Sequence, residues 1–264
     1  INGSLFDEES ARAAVVHYDY TVLAGTQGHR HHYKLDRMFE LASRFQLPLV
    51  VFTEGGGGRP GDDAIGPWVA FDTYTFTQFS KLSAAVPTVG VNHGRCFAGN
   101  TALLACCDVI IATKNSTIGM GGPAMIEGGG LGVYTPEEVG PMSSQVPNGV
   151  VDILVDDEGE AVEVAKRYLS YFQGRLDHWK AHDQMELRHI VPENRLRLYD
   201  MRKLIETIAD VGSVLEIREK FGVAMITALI RIEGRPIGVI ANNPHHLSGA
   251  IDSDAADKGA RFIQ

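Results

Sequence analysis

The stretch VPTVGVNHGRCFAGNTALLACCDVIIAT, residues 86–113, decides the fold. It contains two short apolar runs, PTVGV (87–91) and DVIIA (108–112), and such continuous runs are typical of strands buried on both faces. Residues 100–107 between them are predicted to form a short helix. A strand, a glycine-bearing turn, a helix and a second strand in this order indicate an α/β architecture with right-handed crossovers.

The segment before this stretch continues the same alternation. LPLVVF (47–52) is a third apolar run, followed directly by a glycine tract, and it predicts another buried strand. Apolar residues at helical spacing predict helices over residues 34–46 and 74–85. Two further strands are predicted over residues 13–16 and 20–23.

The segment after it carries a helix, a polar connection and a second group of elements. A helix that begins at Asp156 and Asp157 is predicted to close the first domain. Residues 173–194 are polar and lose their period, which is typical of a surface connection with room for a helical turn. The remaining predicted elements are a helix over 201–209, strands at ITALIRI (226–232) and PIGVIAN (236–242) joined by a turn at Glu233 and Gly234, and a helix over 255–264.

The end of the chain repeats its beginning at one fixed offset of 224 positions. The matching pairs are Val15 and Val239, Leu23 and Leu247, Gly25 and Gly249, Lys34 and Lys258, with Met38 answered by Phe262. Because the order of strand, loop and helix is also the same, we interpret the match as a tandem duplication. On this interpretation the second copy stops at the level of Glu40, and we expect an incomplete second domain.

Composition and charge narrow the class of protein. The chain has 264 residues, of which 44% are hydrophobic and 22% charged, with a net charge of -9. Lysine and arginine are spread along an acidic chain, which argues against a nucleic-acid binder. No apolar run approaches the ~20 residues of a membrane span, and the first ten residues lack a signal peptide's features. Three cysteines without a CxxC pair suit a reducing compartment, so a soluble, cytoplasmic protein is predicted.

Two glycine-rich junctions follow successive predicted strands: EGGGGR (54–59) and HGRCFAGN (93–100). Glycine lets backbone N–H groups approach a ligand closely, and the N–H groups of Gly99 and Asn100 would open a helix. Donors that converge from two junctions at one sheet edge form an oxyanion hole, worth ~3 kcal/mol per donor in a dry site. Tight turns are the alternative for each junction alone. Neither junction matches a dinucleotide or P-loop fingerprint.

Six segments, in order, resemble the carboxyltransferases of biotin-dependent acyl-CoA carboxylases. The four that are similar to the family's N-terminal half are YDYTVLAGTQG (18–28), LPLVVFTEGGGGRPGD (47–62), residues 86–113 and IGMGGPAMIEGGG (118–130). The two that are similar to the linker and the opening of its C-terminal half are LRLYDMRKLIETIADVGSVLEI (196–217) and EGRPIGVIANNPHHLSGAIDSDAADKGARFI (233–263).

The resemblance implies the crotonase fold, in which strand-strand-helix units are repeated and each chain has two domains. The active site of the family lies between the N-domain of one subunit, which holds acyl-CoA, and the C-domain of another, which holds carboxybiotin. It implies an N-terminal acyl-CoA-binding domain over residues 1–173 and a linker over 174–194. Residues 195–264 are expected to be the start of a truncated C-terminal domain.

The resemblance also implies roles for individual residues. The catalytic set that surrounds the thioester oxygen is expected to be Gly57, Gly58, Gly99 and Asn100. The set that binds the rest of acyl-CoA is Leu23, Ala24, Gly25 and Thr26 at the adenine, Arg59 near the phosphates, and Ala98 and Gly122. Relatives often have glycine at the position of Asn100, so its side chain is expected to narrow the pocket.

The implied reaction is transfer of a carboxyl group from carboxybiotin to the α-carbon of an acetyl-CoA or propionyl-CoA class substrate through an enolate. In this family the released biotin is thought to take the proton, so no metal and no dedicated base are expected. Implied partners are biotin carboxylase and biotin carboxyl carrier domains or subunits, together with further copies of this chain in a homo-oligomer. By the same offset, the hole on the biotin side falls at position 323, so the 264 residues alone are expected to be inactive.

Several alternatives stay open beside this interpretation. A biotin-dependent decarboxylase would use the same site in reverse, and a non-catalytic acyl-CoA-binding fragment would lack turnover. A hydratase or isomerase of the same fold would need carboxylates aimed into the pocket, for which Glu54 and Glu127 are the candidates.

Two further groups of side chains invite other chemistry. His29, His31 and His32 suggest a metal site, but without carboxylate or cysteine ligands at suitable spacing a solvated loop is favoured. Cys96 with His93 suggests a nucleophile pair, for which core packing of the cysteine is the favoured alternative.

Overall fold

The computed structural model describes residues 1–59, 74–83, 85–194 and 196–264. These residues form two compact units. The first consists of Ile1, Arg12–Gln145 and Ile153–Ala165, and the second of Asn2–Ala11, Val146–Asp152 and Lys166–Gln264. Residues 60–62 of one quoted motif, Ala84 of a predicted helix and Arg195 at a predicted domain start lie outside the described residues. The domain boundaries drawn from the sequence remain a prediction.

Regular structure occupies most of the described chain. The strands are β1 (Ala14–His17), β2 (Leu49–Phe52), β3 (Thr88–Asn92), β4 (Arg95–Phe97), β5 (Val109–Thr113), β6 (Thr117–Gly119), β7 (Ile153–Val155), β8 (Leu215–Ile217), β9 (Met225–Ile232) and β10 (Arg235–Asn242). The α-helices are α1 (His29–Phe45), α2 (Thr75–Leu82), α3 (Gly99–Ala105), α4 (Pro123–Gly128), α5 (Met142–Gln145), α6 (Glu158–Ser170), α7 (Leu187–Ile190), α8 (Met201–Ile208) and α9 (Ser253–Ile263). Short 3-10 turns lie at Leu23–Gly25, Pro136–Glu138, Gln184–Glu186 and Leu247–Gly249.

The first unit is built on a parallel sheet with strand order β1-β2-β3-β5-β7. Every residue of β3 and β5 is buried, as their continuous apolar sequences predict. Burying each valine, leucine or isoleucine contributes roughly 1.5–3 kcal/mol. Because the strands are parallel, the segments that follow β2 and β3 leave the sheet at the same edge. There β4 and β6 form a second, smaller parallel sheet.

The strand predicted over residues 20–23 is wrong. Asp19 makes a local turn, in which its carboxylate accepts hydrogen bonds from the backbone N–H and the hydroxyl of Thr21. The 3-10 turn that follows has positive φ angles at Leu23 (49°), Ala24 (55°) and Gly25 (63°). Left-handed residues cannot continue a strand, so the apolar run of this segment does not enter the sheet.

Helix α1 begins five residues before its predicted start, at His29 rather than at position 34. The N–H of Gly28 donates to Nδ1 of His31 at 3.2 Å and closes the first turn. His32 is buried, and its Nδ1 lies 3.0 Å from the hydroxyl of Thr75 in α2. The prediction of a solvated histidine loop is therefore wrong, because two of the histidines hold the start of a helix.

The second unit contains the antiparallel sheet β10-β9-β8. Glu233 and Gly234 join β9 to β10 with φ angles of 52° and 77°, the left-handed pair of a tight hairpin turn. This confirms the predicted turn. The core packs α8 against β9 through Ile205, Ala209, Ile226, Ala228 and Ile230. Strand β8 was not predicted, because three residues are too few to show a period.

The proposed duplication is visible in backbone geometry. Leu247, Ser248 and Gly249 have φ angles of 45°, 54° and 83°, which repeat the three consecutive positive values of Leu23–Gly25 at the offset of 224. In each copy the turn follows a strand and precedes a helix. The copies differ in burial at the pair of lysines: Lys34 is exposed, whereas Lys258 is buried and donates to the carbonyl oxygen of Met225 at 2.7 Å.

Candidate functional site

The two glycine junctions meet at the edge of the parallel sheet. The N–H of Gly55 donates to the carbonyl oxygen of Arg95 at 2.8 Å, and the N–H of Phe97 donates to that of Gly55 at 2.9 Å. A bridge of the parallel type therefore joins Gly55 to Cys96. The segments after β2 and β3 are thus hydrogen-bonded to each other, as expected for a shared pocket.

The two junctions also come close together at Gly57 and the start of α3. A Cβ built on Gly57 would lie 2.6 Å from the Cβ of Ala98 and 3.5 Å from the backbone nitrogen of Gly99. Gly57 also has a φ of +85°. A side chain at this position is excluded both by contact and by conformation, so only glycine lets the two backbones come this close.

Two backbone donors are left open at this approach. The N–H groups of Gly58 and Gly99 donate no hydrogen bond to any other residue in the described ranges. The neighbouring N–H of Gly57 is bound, since it donates to Oδ1 of Asn100 at 3.1 Å. Gly58 is exposed, and a Cβ built on it would meet nothing within 4 Å. Open donors beside an accessible space are the elements of an oxyanion hole.

Ala98 occupies a strained backbone conformation directly before α3. Its φ and ψ are 51° and -119°, a region that residues with a side chain rarely adopt, at a cost on the order of 1–3 kcal/mol. Its N–H donates to the carbonyl oxygen of Gly119 at 3.0 Å, which holds this conformation in place. The strain turns the chain sharply at the point where the Gly99 N–H emerges.

The side chain of Asn100 does not lie in open space, so the expectation that it narrows the pocket is wrong. The residue is fully buried. Its Oδ1 accepts from the N–H of Gly57, and its Nδ2 donates to the carbonyl oxygens of Gly25 and Glu54, each at 3.4 Å. One amide therefore links α3 to two separate loops.

The 3-10 turn at Leu23–Gly25 packs against the first glycine junction. The N–H of Gly56 donates to the carbonyl oxygen of Ala24 at 3.1 Å. Arg59 donates from Nε to the hydroxyl of Thr26 at 3.2 Å and from Nη2 to its carbonyl oxygen at 3.1 Å. Leu23 and Ala24 are exposed, whereas Gly25 is buried. The predicted substrate-binding residues of this segment are thus brought beside the predicted catalytic glycines.

Gly122 joins the same region through β6. Phe97 pairs with Gly119 in the small sheet, and a Cβ built on Gly122 would lie 3.5 Å from the Phe97 ring. Gly122 precedes α4, whose Met125 is exposed, as is Met120 before it. All eleven predicted site residues therefore belong to one connected set of segments at the sheet edge.

Gln27 belongs to the site although no sequence pattern indicates it. It is buried, its Nε2 donates to the hydroxyl of Tyr18 at 2.8 Å, and its Oε1 would lie 2.4 Å from a Cβ on Gly99. Its backbone N–H also donates to the carbonyl oxygen of Gly57 at 2.6 Å. Burial raises the pKa of the Tyr18 hydroxyl, which stays neutral. A glutamine between a glycine and a threonine in a polar loop carries no pattern that predicts this contact.

The nucleophile pair is not supported by the arrangement of its members. Cys96 is fully buried, and burial raises the pKa of its thiol to about 12, so the reactive thiolate is disfavoured. The ring nitrogens of His93 instead lie 3.3 Å from the Thr113 hydroxyl and 2.7 Å from the Glu158 carboxylate.

A hydratase would need two carboxylates aimed into the pocket, and Glu54 and Glu127 do not form such a pair. Glu54 accepts a hydrogen bond from the backbone N–H of His93, and Glu127 is exposed on α4. In the described ranges, no three histidine, cysteine or carboxylate side chains are grouped to hold a metal ion. None of the helices in these ranges has the length and apolar character that crossing a bilayer requires.

Comparison with known proteins gives concordant matches over nearly the whole chain. The sequence model of the family described as "Carboxyl transferase domain" matches residues 11–264. The biotin-dependent long chain acyl-coenzyme A carboxylase beta4 subunit of Mycobacterium tuberculosis is 30% identical over 263 residues, which are 95% of this chain and 50% of that protein.

Solved structures match as well. A single-chain, multi-domain long-chain acyl-CoA carboxylase aligns with a TM-score of 0.95 and 58% identity, over 100% of this chain and 26% of that one. The transcarboxylase 12S hexamer, with methylmalonyl-CoA and methylmalonic acid bound, aligns with a TM-score of 0.82 and 28% identity, over 94% of this chain and 51% of that one. The chain therefore spans about half the length of the single-subunit relatives that it matches.

Proposed function

Because this chain belongs to the carboxyl transferase domain family, we propose that it forms the acyl-CoA-binding half of the carboxyltransferase of a biotin-dependent acyl-CoA carboxylase. The family resemblance noted in the sequence is thereby confirmed, as is the α/β fold class with a parallel sheet. The reaction, the substrate and the partners of the whole protein are proposals, since the chain covers half of its relatives.

The observation that carries the proposal is the pair of open donors at Gly58 and Gly99. They stand on different segments, one after β2 and one after β3, whose backbones are held together by the Gly55 bridge. An acyl-CoA thioester has one carbonyl oxygen with two lone pairs, so it can accept from both donors. We assign this role to the N–H groups of Gly58 and Gly99, with Gly57 and Asn100 as the neighbouring members of the proposed catalytic set.

The chemistry follows from the charge that develops at that oxygen. Carboxylation of the α-carbon requires loss of its proton, and the negative charge of the resulting enolate moves to the thioester oxygen. Preorganised N–H donors stabilise this charge more than they stabilise the neutral ground state, which lowers the barrier. We assign no side chain of this chain as the base.

The remaining predicted residues would hold the rest of the substrate. Leu23, Ala24, Gly25 and Thr26 would line the adenine, since two of them are exposed beside the glycine junction. Arg59 would lie near the phosphates, with Thr26 fixing the plane of its guanidinium. Ala98 and Gly122 would contact the acyl portion.

Biotin would enter as carboxybiotin on another domain or subunit, and it supplies the carboxyl group that is transferred. Among the described residues we assign none to biotin, because the duplicated counterpart of Gly99 would be residue 323. Biotin carboxylase and carrier domains or subunits are the proposed partners, together with further copies of the chain. The hexamer described for transcarboxylase 12S supports a homo-oligomer. A cytoplasmic location remains a prediction.

We propose that the substrate is an acyl-CoA. Long-chain acyl-CoA is a third candidate class, beside the acetyl-CoA and propionyl-CoA classes expected from the sequence. The long-chain carboxylase shares 58% identity with this chain, whereas the methylmalonyl-CoA-binding 12S structure shares 28%. This difference supports a long-chain acyl-CoA.

The test is carboxyl transfer by the full-length protein that contains this chain. We expect the enzyme to carboxylate palmitoyl-CoA in a biotin-dependent reaction, with a higher kcat/KM than for acetyl-CoA or propionyl-CoA. The reaction is measured by the incorporation of labelled bicarbonate into the acyl-CoA. Higher efficiency with a short substrate would overturn the proposed acyl class alone. Tight acyl-CoA binding without any transfer would replace the proposal with the non-catalytic alternative, and net loss of a carboxyl group from the substrate would favour a decarboxylase.

A further inference from the structure

Asn100 differs from the other predicted catalytic residues because its side chain, and not only its backbone, is committed to the site. The residue is the second of α3 and is fully buried. Its amide contacts backbone atoms of Gly25, Glu54 and Gly57, which belong to the 3-10 turn and to the first glycine junction. Burial of an amide costs several kcal/mol unless its hydrogen bonds are made.

The amide of Asn100 has no N–H donor to spare for a substrate oxygen. An asparagine offers two N–H donors, and here they go to the carbonyl oxygens of Gly25 and Glu54. The oxygen accepts from the N–H of Gly57. The opposite orientation of the amide would set its NH₂ against an N–H and its oxygen against two carbonyls, so only one orientation fits. Asn100 therefore acts on loops and not on a ligand.

The surrounding glycines make room for this amide. A Cβ built on Gly55 would lie 2.2 Å from Nδ2 of Asn100, and one built on Gly25 would lie 2.5 Å from the carbonyl oxygen of Glu54. The glycine tract that the sequence places after β2 thus serves two purposes: it admits close backbone contact at Gly57, and it leaves a slot for the Asn100 side chain at Gly55.

The hydrogen bond between the Asn100 amide and the Gly57 N–H helps to set the direction of the open N–H of Gly58. The N–H of Gly57 is held by Asn100, and its carbonyl oxygen is held by the N–H of Gln27. Because the peptide unit is planar and trans, fixing the Gly57 carbonyl directs the Gly58 N–H to the opposite side. With a φ of +85°, Gly57 has wide conformational freedom, so both of these bonds are needed to fix the direction of that N–H.

We propose that Asn100 is a positioning residue whose side-chain amide orients the Gly58 N–H toward the thioester oxygen by fixing the Gly57 backbone against the 3-10 turn. The inference rests on the proposed carboxyltransferase function. It predicts that the amide matters more for the developing enolate than for the bound substrate, since misdirected donors lose transition-state stabilisation first.

The experiment compares kcat and KM of the complete enzyme carrying Asn100→Ala or Asn100→Asp. Alanine removes all three bonds. Aspartate keeps the shape and the acceptor but sets an oxygen against the carbonyls of Gly25 and Glu54. We expect kcat to fall about 10- to 100-fold for both variants, while KM for acyl-CoA changes less than about threefold. This loss of kcat is smaller than the loss of about 10²–10³ that follows removal of one oxyanion-hole donor. For Asn100→Asp, activity should recover as the pH falls, because a protonated carboxyl can again donate to one carbonyl.

Asn92→Ala is the matched control, since Asn92 is an equally buried asparagine that bonds to the Gly94 carbonyl and the Thr53 hydroxyl. It should lower the melting temperature without lowering kcat per folded enzyme. Should Asn100→Ala fail to fold, the isosteric Asn100→Asp variant carries the test. Unchanged kcat in the folded variants, or an equal loss in Asn92→Ala, would overturn the positioning role alone. An inactive wild-type enzyme would overturn the proposed function and this inference together.

Discussion

Replacing Gly99 by proline is expected to lower carboxyl transfer by about 10²–10³, the loss typical of one missing oxyanion donor. Proline removes the N–H that the structure leaves open and fixes φ near -65°. Gly99 is the first residue of α3, a position where proline is well tolerated, so the helix should persist. The measurement is kcat/KM of the complete enzyme with its acyl-CoA substrate, together with affinity for the CoA thioester, which should fall as well.

The matched control is Gly99→Ala. Both substitutions add a Cβ, whose ideal position lies 2.4 Å from Oε1 of Gln27, so both disturb that side chain equally. Only alanine retains the N–H. We expect Gly99→Ala to lose clearly less activity than Gly99→Pro, and equal losses in the two folded variants would show that the Gly99 N–H does not contact the substrate.

Replacing Arg231 by methionine is expected to lower the free energy of unfolding by about 3 kcal/mol or more. Arg231 is a buried residue of β9 whose guanidinium donates to three backbone carbonyls, those of Ser170, Gly174 and Gly234, at 2.5–2.9 Å. It also lies 5.2 Å from the centre of the Tyr171 ring. Burial lowers the pKa of this guanidinium, which nevertheless remains charged because the ordinary value is so high.

Methionine matches the length of the arginine stem but removes one charged donor from each of the three carbonyls. The carbonyls of Ser170 and Gly234 keep the backbone N–H of Gln173 and of Leu176, so the expected loss is that of three hydrogen bonds to a charged group, each worth about 1.5–3 kcal/mol. Arg235→Met in β10 is the control, because Arg235 is exposed and a surface change of this kind stays within about 0.5 kcal/mol. Urea unfolding of the two variants beside the wild type measures the difference. A loss for Arg231→Met no greater than that for Arg235→Met would contradict the role given to this arginine.

The sequence predicts most of the first unit because its sheet is buried on both faces. A run such as LPLVVF contains no polar residue, so it indicates a strand buried on both faces without any alternation of polar and apolar side chains. Strands β2, β3 and β5 lie within two residues of their predicted positions. The strand predicted over residues 20–23 is wrong because Val22 and Leu23 are apolar, whereas the left-handed backbone that begins at Leu23 depends on contacts with the distant glycine junction.

The sequence predicts the backbone donors of the site but not the side-chain hydrogen bonds that hold them. Glycines at the ends of successive strands indicate open N–H groups at one sheet edge, and the structure brings those segments together. The side-chain bonds of Asn100 join positions 43 to 75 residues away in sequence, and no local pattern encodes them. Gln27 could not be predicted either, because its contacts with Gly57 and Gly99 also join positions that are far apart in sequence.

The assignment of the oxyanion hole to Gly58 and Gly99 is tested most directly by the structure of the complete enzyme with an acyl-CoA bound. We expect the thioester carbonyl oxygen to lie about 2.7–3.1 Å from the backbone nitrogens of both Gly58 and Gly99, the distances of a functioning oxyanion hole. A well-ordered acyl-CoA whose thioester oxygen contacts neither nitrogen, with both N–H groups facing water, would contradict it.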